Sequence, residues 1–123
     1  MATALIDPVL ESLADPKSAV IDPRRLAATL HLTLGEVADL ARVHRTSLAR
    51  NAASPELQAR LGPIATILSR ASAMSGSLPR AVLWFRHQPI AAFGDKRAAD
   101  LVKAGEANAI LAWLDALEDS AFA

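Results

Sequence analysis

Apolar positions recur three and four residues apart along most of the chain, a spacing that places them on one face of a helix. The last such stretch, residues 106–119, carries a face of Ala107, Ile110, Leu111, Leu114 and Leu117. The same reading predicts earlier helices over residues 8–14, 23–30, 34–42, 46–52, 55–73, 79–87 and 96–104. No segment shows the alternation of apolar and polar residues that is typical of a strand. The pattern therefore predicts an all-α fold.

Proline and glycine mark where these helices should begin and end. Four dipeptides place a capping side chain directly before a proline: Asp7-Pro8, Asp15-Pro16, Asp22-Pro23 and Ser54-Pro55. Proline fits the first helical turn and the preceding oxygen can accept from free N–H groups, so all four predict helix starts. Gly62-Pro63 is expected to kink or split the long helix. Asp95 is expected to cap the helix over 96–104, and Gly105 to end it.

Composition limits the class of protein. A chain of 123 residues suffices for one ordinary domain or two very small ones. It contains no cysteine, which excludes a disulfide scaffold and a cysteine-based zinc site. The longest apolar run, Ala109 to Leu114, is too short to cross a membrane, and the N-terminus does not resemble a signal peptide. A soluble, cytoplasmic protein is expected.

Charge is balanced overall but unevenly distributed. The chain has 13 basic and 13 acidic residues, yet residues 42–50 are basic without an acid, and residues 104–123 are acidic without Lys or Arg. All the aromatic residues lie at or beyond Trp84. The sequence therefore predicts two functional halves, residues 21–74 and residues 78–123, after an N-terminal segment of residues 1–20.

Catalytic chemistry has little support in the sequence. His31, His44 and His87 are scattered without metal-ligand spacing, and the glycines are isolated rather than gathered in a phosphate-binding loop. We therefore expect no enzyme activity, no catalytic residue, no metal and no cofactor.

Residues 34–50 have the layout of a helix–turn–helix. A capping box at Thr33 and Glu36 opens a helix, Val43 lies in a turn, and a second short helix starts with polar residues and buries Leu48. A plain helical hairpin with a solvated arginine face is the alternative. Clustered arginines without acids favour DNA binding. The candidate DNA-binding residues are Arg42, His44, Arg45, Thr46, Ser47 and Arg50.

The C-terminal half combines aromatic and acidic residues. Trp84 and Trp113 are individually expected in the core. Phe122, one residue from the C-terminus of the sequence, must either fold back or dock into a partner. Glu118 and Asp119 beside it suit a basic cleft on such a partner.

These residues together resemble the Xre/MbcA/ParS antitoxin family, from about Ile21 to the end of the chain. The most specific features are C-terminal. They are the helix end at Trp84-Phe85, Pro89, the turn Ala92-Phe93-Gly94, the segment Ala99-Asp100-Leu101, the break at Gly105 and the closing residues 113–118. The resemblance implies an N-terminal helix–turn–helix bundle followed by a small helical toxin-binding domain.

The resemblance also implies partners. Such proteins neutralise a RES-domain toxin that degrades NAD, covering its active-site entrance with their C-terminal segment, and repress their own promoter as a dimer. The expected toxin-binding residues are Phe93, Trp113, Leu117, Glu118, Asp119, Phe122 and Ala123. A stand-alone dimeric transcription regulator without a toxin, and an adaptor that has lost DNA binding, are the alternatives.

Overall fold

The computed structural model describes residues 7–121, with side chains to residue 120, and that range is helical. The helices are α1 (Pro8–Leu13), α2 (Pro23–Leu30), α3 (Leu34–Ala41), α4 (Arg45–Arg50), α5 (Pro55–Ser75), α6 (Leu78–His87), α7 (Ala98–Lys103) and α8 (Ala107–Ala121). A short 3-10 turn, Ala91–Phe93, lies between α6 and α7. Two isolated bridges are the extent of β-pairing in this range, so the predicted all-α fold is confirmed.

Three of the four predicted proline starts begin helices. The side chains of Asp7, Asp22 and Ser54 accept hydrogen bonds from backbone N–H groups in the first turns of α1, α2 and α5. The prediction at Asp15-Pro16 is wrong, because these residues form a turn. The Asp15 carboxylate accepts from the Lys17 N–H at 2.8 Å, and the Asp15 N–H donates to the Val20 carbonyl at 2.8 Å, which reverses the chain before a helix can form.

The longest helix, α5, runs unbroken through Gly62 and Pro63. A proline at this position removes the hydrogen bond to the Ala59 carbonyl. Ala59 is exposed, so that carbonyl is on the side of the helix where water can reach it. Buried apolar side chains before and after the proline hold both parts of α5 against the core, and the expected split does not occur. They are Leu57, Leu61, Ile64, Ala65, Ile67, Leu68 and Ala71.

The start of α7 differs from the prediction. Asp95 does not cap it: Asp95 has a φ of 65°, and α7 begins at Ala98 after Arg97. The reason is a tight loop over residues 90–96, closed by a bridge in which the Ile90 N–H donates to the Lys96 carbonyl at 2.9 Å, so α7 cannot begin until the chain has left this bridge. Gly105 does end the helix, with a φ of 82°.

A continuous core joins the two predicted halves. Helix α5 lies at its centre and packs against α1, α6 and α8, while α3 packs against α7. Leu26, Val37 and Leu61 from the first half share the core with Phe85 and Ile110 from the second. The functional division of the chain stays a prediction, but the halves meet across buried surface. Between residues 7 and 121, no helix combines the length and apolar composition that a membrane crossing needs.

Candidate functional site

Helices α3 and α4 lie against each other and are joined by the turn of residues 42–44. The capping box that opens α3 is formed: the Thr33 N–H donates to Glu36 at 2.9 Å, and the Glu36 N–H donates to the Thr33 hydroxyl at 3.1 Å. Val43 is half-buried in the turn and its N–H donates to the Ala38 carbonyl at 3.0 Å. Leu48 anchors α4 in the core. The pair has the order and turn length of the predicted helix–turn–helix, whose role in DNA binding stays a prediction.

The start of α4 presents most of the candidate DNA-binding side chains to solvent. His44 caps the helix, since its Nδ1 accepts from the Thr46 N–H at 3.3 Å and lies 2.8 Å from the Thr46 hydroxyl. Arg45, Thr46, Ser47 and Arg50 are all exposed. The structure therefore brings five of the six candidates together, and it gives His44 a structural task as well.

Arg42 lies apart from that group. It ends α3 in the left-handed conformation, with a φ of 57°, and its guanidinium lies against Gly105 in the turn between α7 and α8. Beside it, Arg60 Nη1 donates to the Ala41 carbonyl at 3.0 Å and so caps the negative end of α3. Sequence reasoning did not find Arg60, because the contact joins residues from two helices that lie 19 positions apart.

Replacing Gly105 with alanine is expected to lower the free energy of unfolding by about 1–2 kcal/mol, because φ is positive there. A Cβ would also lie 2.7 Å from Arg42 Nη1. Chemical denaturation of the single variants and of the Gly105→Ala/Arg42→Ala double variant checks this. The arginine tip can move, so we expect the double variant to recover only a small part of the loss. Full recovery would show that the steric contact, and not the backbone conformation, sets the cost.

Three aromatic side chains form a half-buried cluster in the C-terminal half. The Trp84 and Trp113 rings are stacked, with centroids 6.4 Å apart and planes 5° apart. Phe93 meets the edge of Trp113 with centroids 6.0 Å apart. Such pairs contribute about 0.5–1.5 kcal/mol each beyond their buried area. Neither tryptophan is fully buried, so each combines a packing role with an accessible surface.

An apolar groove of about 180 Å³ lies beside this aromatic cluster. Its lining residues come from α5, α6 and α8: Ala71, Met74, Ser75, Trp84, Trp113, Leu114 and Leu117. Met74 is 45% exposed and Leu117 is 39% exposed, although both are large and apolar. Exposed apolar side chains that gather in this way are typical of a protein contact. The sequence prediction included Trp113 and Leu117 but missed Met74, which reaches the groove from a distant part of the chain.

The acidic residues of α8 differ in whether they form an ion pair within the molecule. Arg70 on α5 forms ion pairs with Asp115 and with Glu118, the latter at 2.8 Å, and the Glu118 hydrogen bond raises the pKa of Arg70. Glu118 is therefore already partnered within the molecule, whereas Asp119 is exposed. Phe122 and Ala123, the remaining candidates, lie outside the described residues.

A second carboxylate, Asp100, is held at the start of α7. Its oxygens accept from Arg97 Nη2 at 2.7 Å, from Arg97 Nε at 2.9 Å and from the Arg97 backbone N–H at 3.0 Å. The Arg97 side chain in turn donates to the Arg86 carbonyl at 3.0 Å, which ties α7 to the end of α6. These hydrogen bonds lower the pKa of Asp100 to about 2.

The lowered pKa of Asp100 predicts that this residue makes a small contribution to the free energy of unfolding that is lost in acid. Because the pKa of Asp100 is lower in the folded chain, its contribution is complete above about pH 4 and is lost as the pH falls through 2. The pair is partly exposed, so we expect less than about 1 kcal/mol. Unfolding free energies of wild type and Asp100→Asn at pH 7 and pH 2 check this. The difference between the two proteins should shrink at pH 2, and a constant difference would contradict the assignment.

No metal site is evident among residues 7–121, where no three His, Asp or Glu side chains come together. No protein-family model matches the sequence, and no curated protein matches it. Among solved structures, a chain matches from the crystal structure of the M. tuberculosis MbcT–MbcA toxin–antitoxin complex, with a TM-score of 0.56 and 28% identity. The match covers 83% of this chain and 95% of that chain.

The chain is similar to an MbcA-type antitoxin. This match confirms the resemblance that the C-terminal motifs suggested. The matched share is larger than either predicted half of the chain, so the similarity to the MbcA-type antitoxin includes residues of both. The exposed side of α4 lies in the first half, and the groove beside the aromatic cluster is formed by residues of both halves.

Proposed function

We propose that this protein is an antitoxin, which binds a toxin partner and blocks its activity. The observation that carries the proposal is the match to the antitoxin of the MbcT–MbcA complex, which spans most of both chains at 28% identity. The apolar groove and the aromatic cluster supply a contact surface of the kind that a protein partner covers. Interface energy is concentrated in such buried aromatic anchors, Trp above all.

The proposed toxin is a RES-domain enzyme that degrades NAD, and the C-terminal segment covers its active-site entrance. The family resemblance supports this choice of toxin. Charge supports it too, because an entrance that receives an anionic dinucleotide is expected to be basic, and Asp119 is exposed near the end of α8. Asp115 and Glu118 would keep Arg70 as a partner, so most of the electrostatic attraction from α8 falls to Asp119. The protein would act in the cytoplasm.

The proposal includes repression of the operon that encodes the pair. The exposed residues Arg45, Thr46, Ser47 and Arg50 would reach base edges and phosphates from α4. A single copy offers few cations, so it would neutralise few phosphates and bind weakly. Two copies on a palindromic site would double the contacts, so we propose that the repressor is a dimer.

Co-expression with the enzyme encoded next to it tests the proposal. The protein is tagged, purified at moderate salt and examined for a stoichiometric partner, and cellular NAD is measured with and without it. We expect a stable complex, and a fall in NAD when the partner is expressed alone. Purification of the protein alone, with only its promoter DNA enriched, would overturn the antitoxin proposal in favour of a stand-alone regulator.

A further inference from the structure

A basic cleft lies where α3, α6 and α7 meet, apart from the exposed side of α4 and from the apolar groove. Its floor is apolar and is formed by Leu32, Leu40 and the buried Phe85. Its rim carries four basic side chains and one acid: Arg86, His87, Arg97, Lys103 and Glu36. The cleft joins the first half of the chain, through α3, to the second half, through α6 and α7.

Two of these cations are available for an external partner. Arg97 is paired with Asp100. Arg86 and Lys103 form no ion pair with any residue between 7 and 121. The Glu36 carboxylate is held at the first turn of α3 by hydrogen bonds from Thr33, which lower its pKa, and the charges of Arg86 and Lys103 lower it further. Both cations therefore lie close to the N-terminal turn of α3.

The same turn of α3 borders α4 on its other side. A Cβ on Gly35 would lie 3.8 Å from the Thr33 hydroxyl and 4.0 Å from Arg45 Cδ. The Arg45 side chain thus lies next to Gly35, the residue before Glu36. Arg45 therefore lies beside the first turn of α3, and Arg86 and Lys103 share the cleft with Glu36 of the same turn, so basic side chains of α4, α6 and α7 surround it.

We propose that Arg86 and Lys103 bind the phosphate backbone of the DNA that α4 contacts, so that the DNA interface extends into the C-terminal half. In a helix–turn–helix the first helix crosses the backbone, which would bring phosphates to the α3 turn that these cations flank. The inference rests on the DNA binding proposed above. Two acids of α3 are exposed: Glu36, which lies in the first turn and is hydrogen-bonded to Thr33, and Asp39, which lies about one turn further along the helix.

This arrangement leaves the groove beside the aromatic cluster open. Trp84 and Arg86 are two residues apart on α6, a spacing of about 200° around a helix, so they point to opposite sides. The acids of α8 that meet Arg70 are on the side of α5 and not at the cleft. DNA at the cleft and a protein at the groove would therefore occupy different faces of the C-terminal half.

Salt-dependent DNA binding by the full-length protein tests the inference. Fluorescence anisotropy with a labelled fragment of its own promoter, and with an unrelated fragment, gives affinity across a series of KCl concentrations. For Arg86→Gln and for Lys103→Gln we expect the salt slope to fall by about 1, with roughly five- to tenfold weaker binding at 0.1 M salt on both fragments. Lys103→Arg should keep the wild-type slope.

The matched control is Arg80→Gln, which removes the same charge from the same helix. The Arg80 side chain donates to the carbonyl of Ser75, the last residue of α5, and does not line the cleft, so Arg80→Gln should keep the wild-type salt slope. Thermal unfolding of each variant shows that the fold is intact. If Arg86→Gln and Lys103→Gln bind as wild type while Arg45→Gln loses affinity, the inference is overturned and the proposed repression stands. If the wild type binds neither fragment even at low salt, the inference and the proposed repression both fail.

Discussion

Replacing Phe85 with alanine is expected to lower the free energy of unfolding by about 3–5 kcal/mol. Phe85 is fully buried, and it is the largest of the fully buried side chains between residues 7 and 121. It projects into the core from α6, which packs against α5 and α7, and it also forms part of the floor of the basic cleft. Alanine would remove most of this side chain and leave a cavity that the surrounding helices can only partly fill. Urea denaturation followed by circular dichroism measures the loss.

Leu83→Ala is the control for this prediction, because Leu83 lies on the same helix and is 62% exposed. Its replacement should change stability by less than about 0.5 kcal/mol. Since the core is continuous, Phe85→Ala should also lower the unfolding midpoint of the first half. Tryptophan fluorescence does not report on that half directly, because both tryptophans lie in the second half. Unfolding of the α3 and α4 region, followed by hydrogen exchange, should move with the global transition. Equal losses from both variants would show that α6 does not bury Phe85.

Much of the fold follows from local sequence, where the determinants of an element lie within a few residues of one another. Helix α2 has the predicted bounds, because Asp22 and Pro23 begin it and the left-handed His31 ends it. The capping box of α3 is formed as predicted for the same reason. These signals act within one turn of helix, so no knowledge of tertiary packing is needed to read them.

The deviations arise where contacts beyond a single helical turn override a local signal. Asp15-Pro16 has the local features of a helix start, but the bridge between Ala14 and Ile21 demands a tight reversal. Asp95 could cap a helix, but it lies in the left-handed conformation within the tight loop that the pairing of Ile90 with Lys96 closes. Proline within α5 would ordinarily break a helix, and burial on both sides of it prevents that. None of these contacts can be read from neighbouring residues.

The same distinction applies to the candidate surfaces. The exposed residues of α4 are adjacent in sequence, so they could be selected together from the chain. The apolar groove draws on α5, α6 and α8, and Met74 carries no signal of its own that links it to Leu117. Arg70 lies 48 positions from Glu118, so their ion pair could not be predicted from the sequence. That ion pair changes the role expected of the Glu118 carboxylate.

Replacing Trp113 with alanine is expected to weaken toxin binding at least 30-fold, which corresponds to about 2 kcal/mol or more. Trp113 lies at the centre of the proposed interface, since it stacks on Trp84, meets Phe93 and lines the apolar groove. Its loss removes a large apolar contact and also the support that orients the other two rings. Isothermal titration calorimetry with the purified toxin measures the change, and toxin activity on NAD gives a second readout.

Three further variants test whether the toxin contacts the groove or the end of the chain. Leu117→Ser changes the groove and keeps both tryptophans, and it should weaken binding by about five- to tenfold, because it removes a partly exposed apolar contact. Ala112→Ser, on the exposed side of α8, should bind as wild type. Deletion of residues 119–123 should abolish neutralisation while thermal unfolding still shows a folded protein. If Trp113→Ala and Leu117→Ser neutralise as wild type and only the deletion fails, the toxin contact lies in the chain end, and the groove has no part in it.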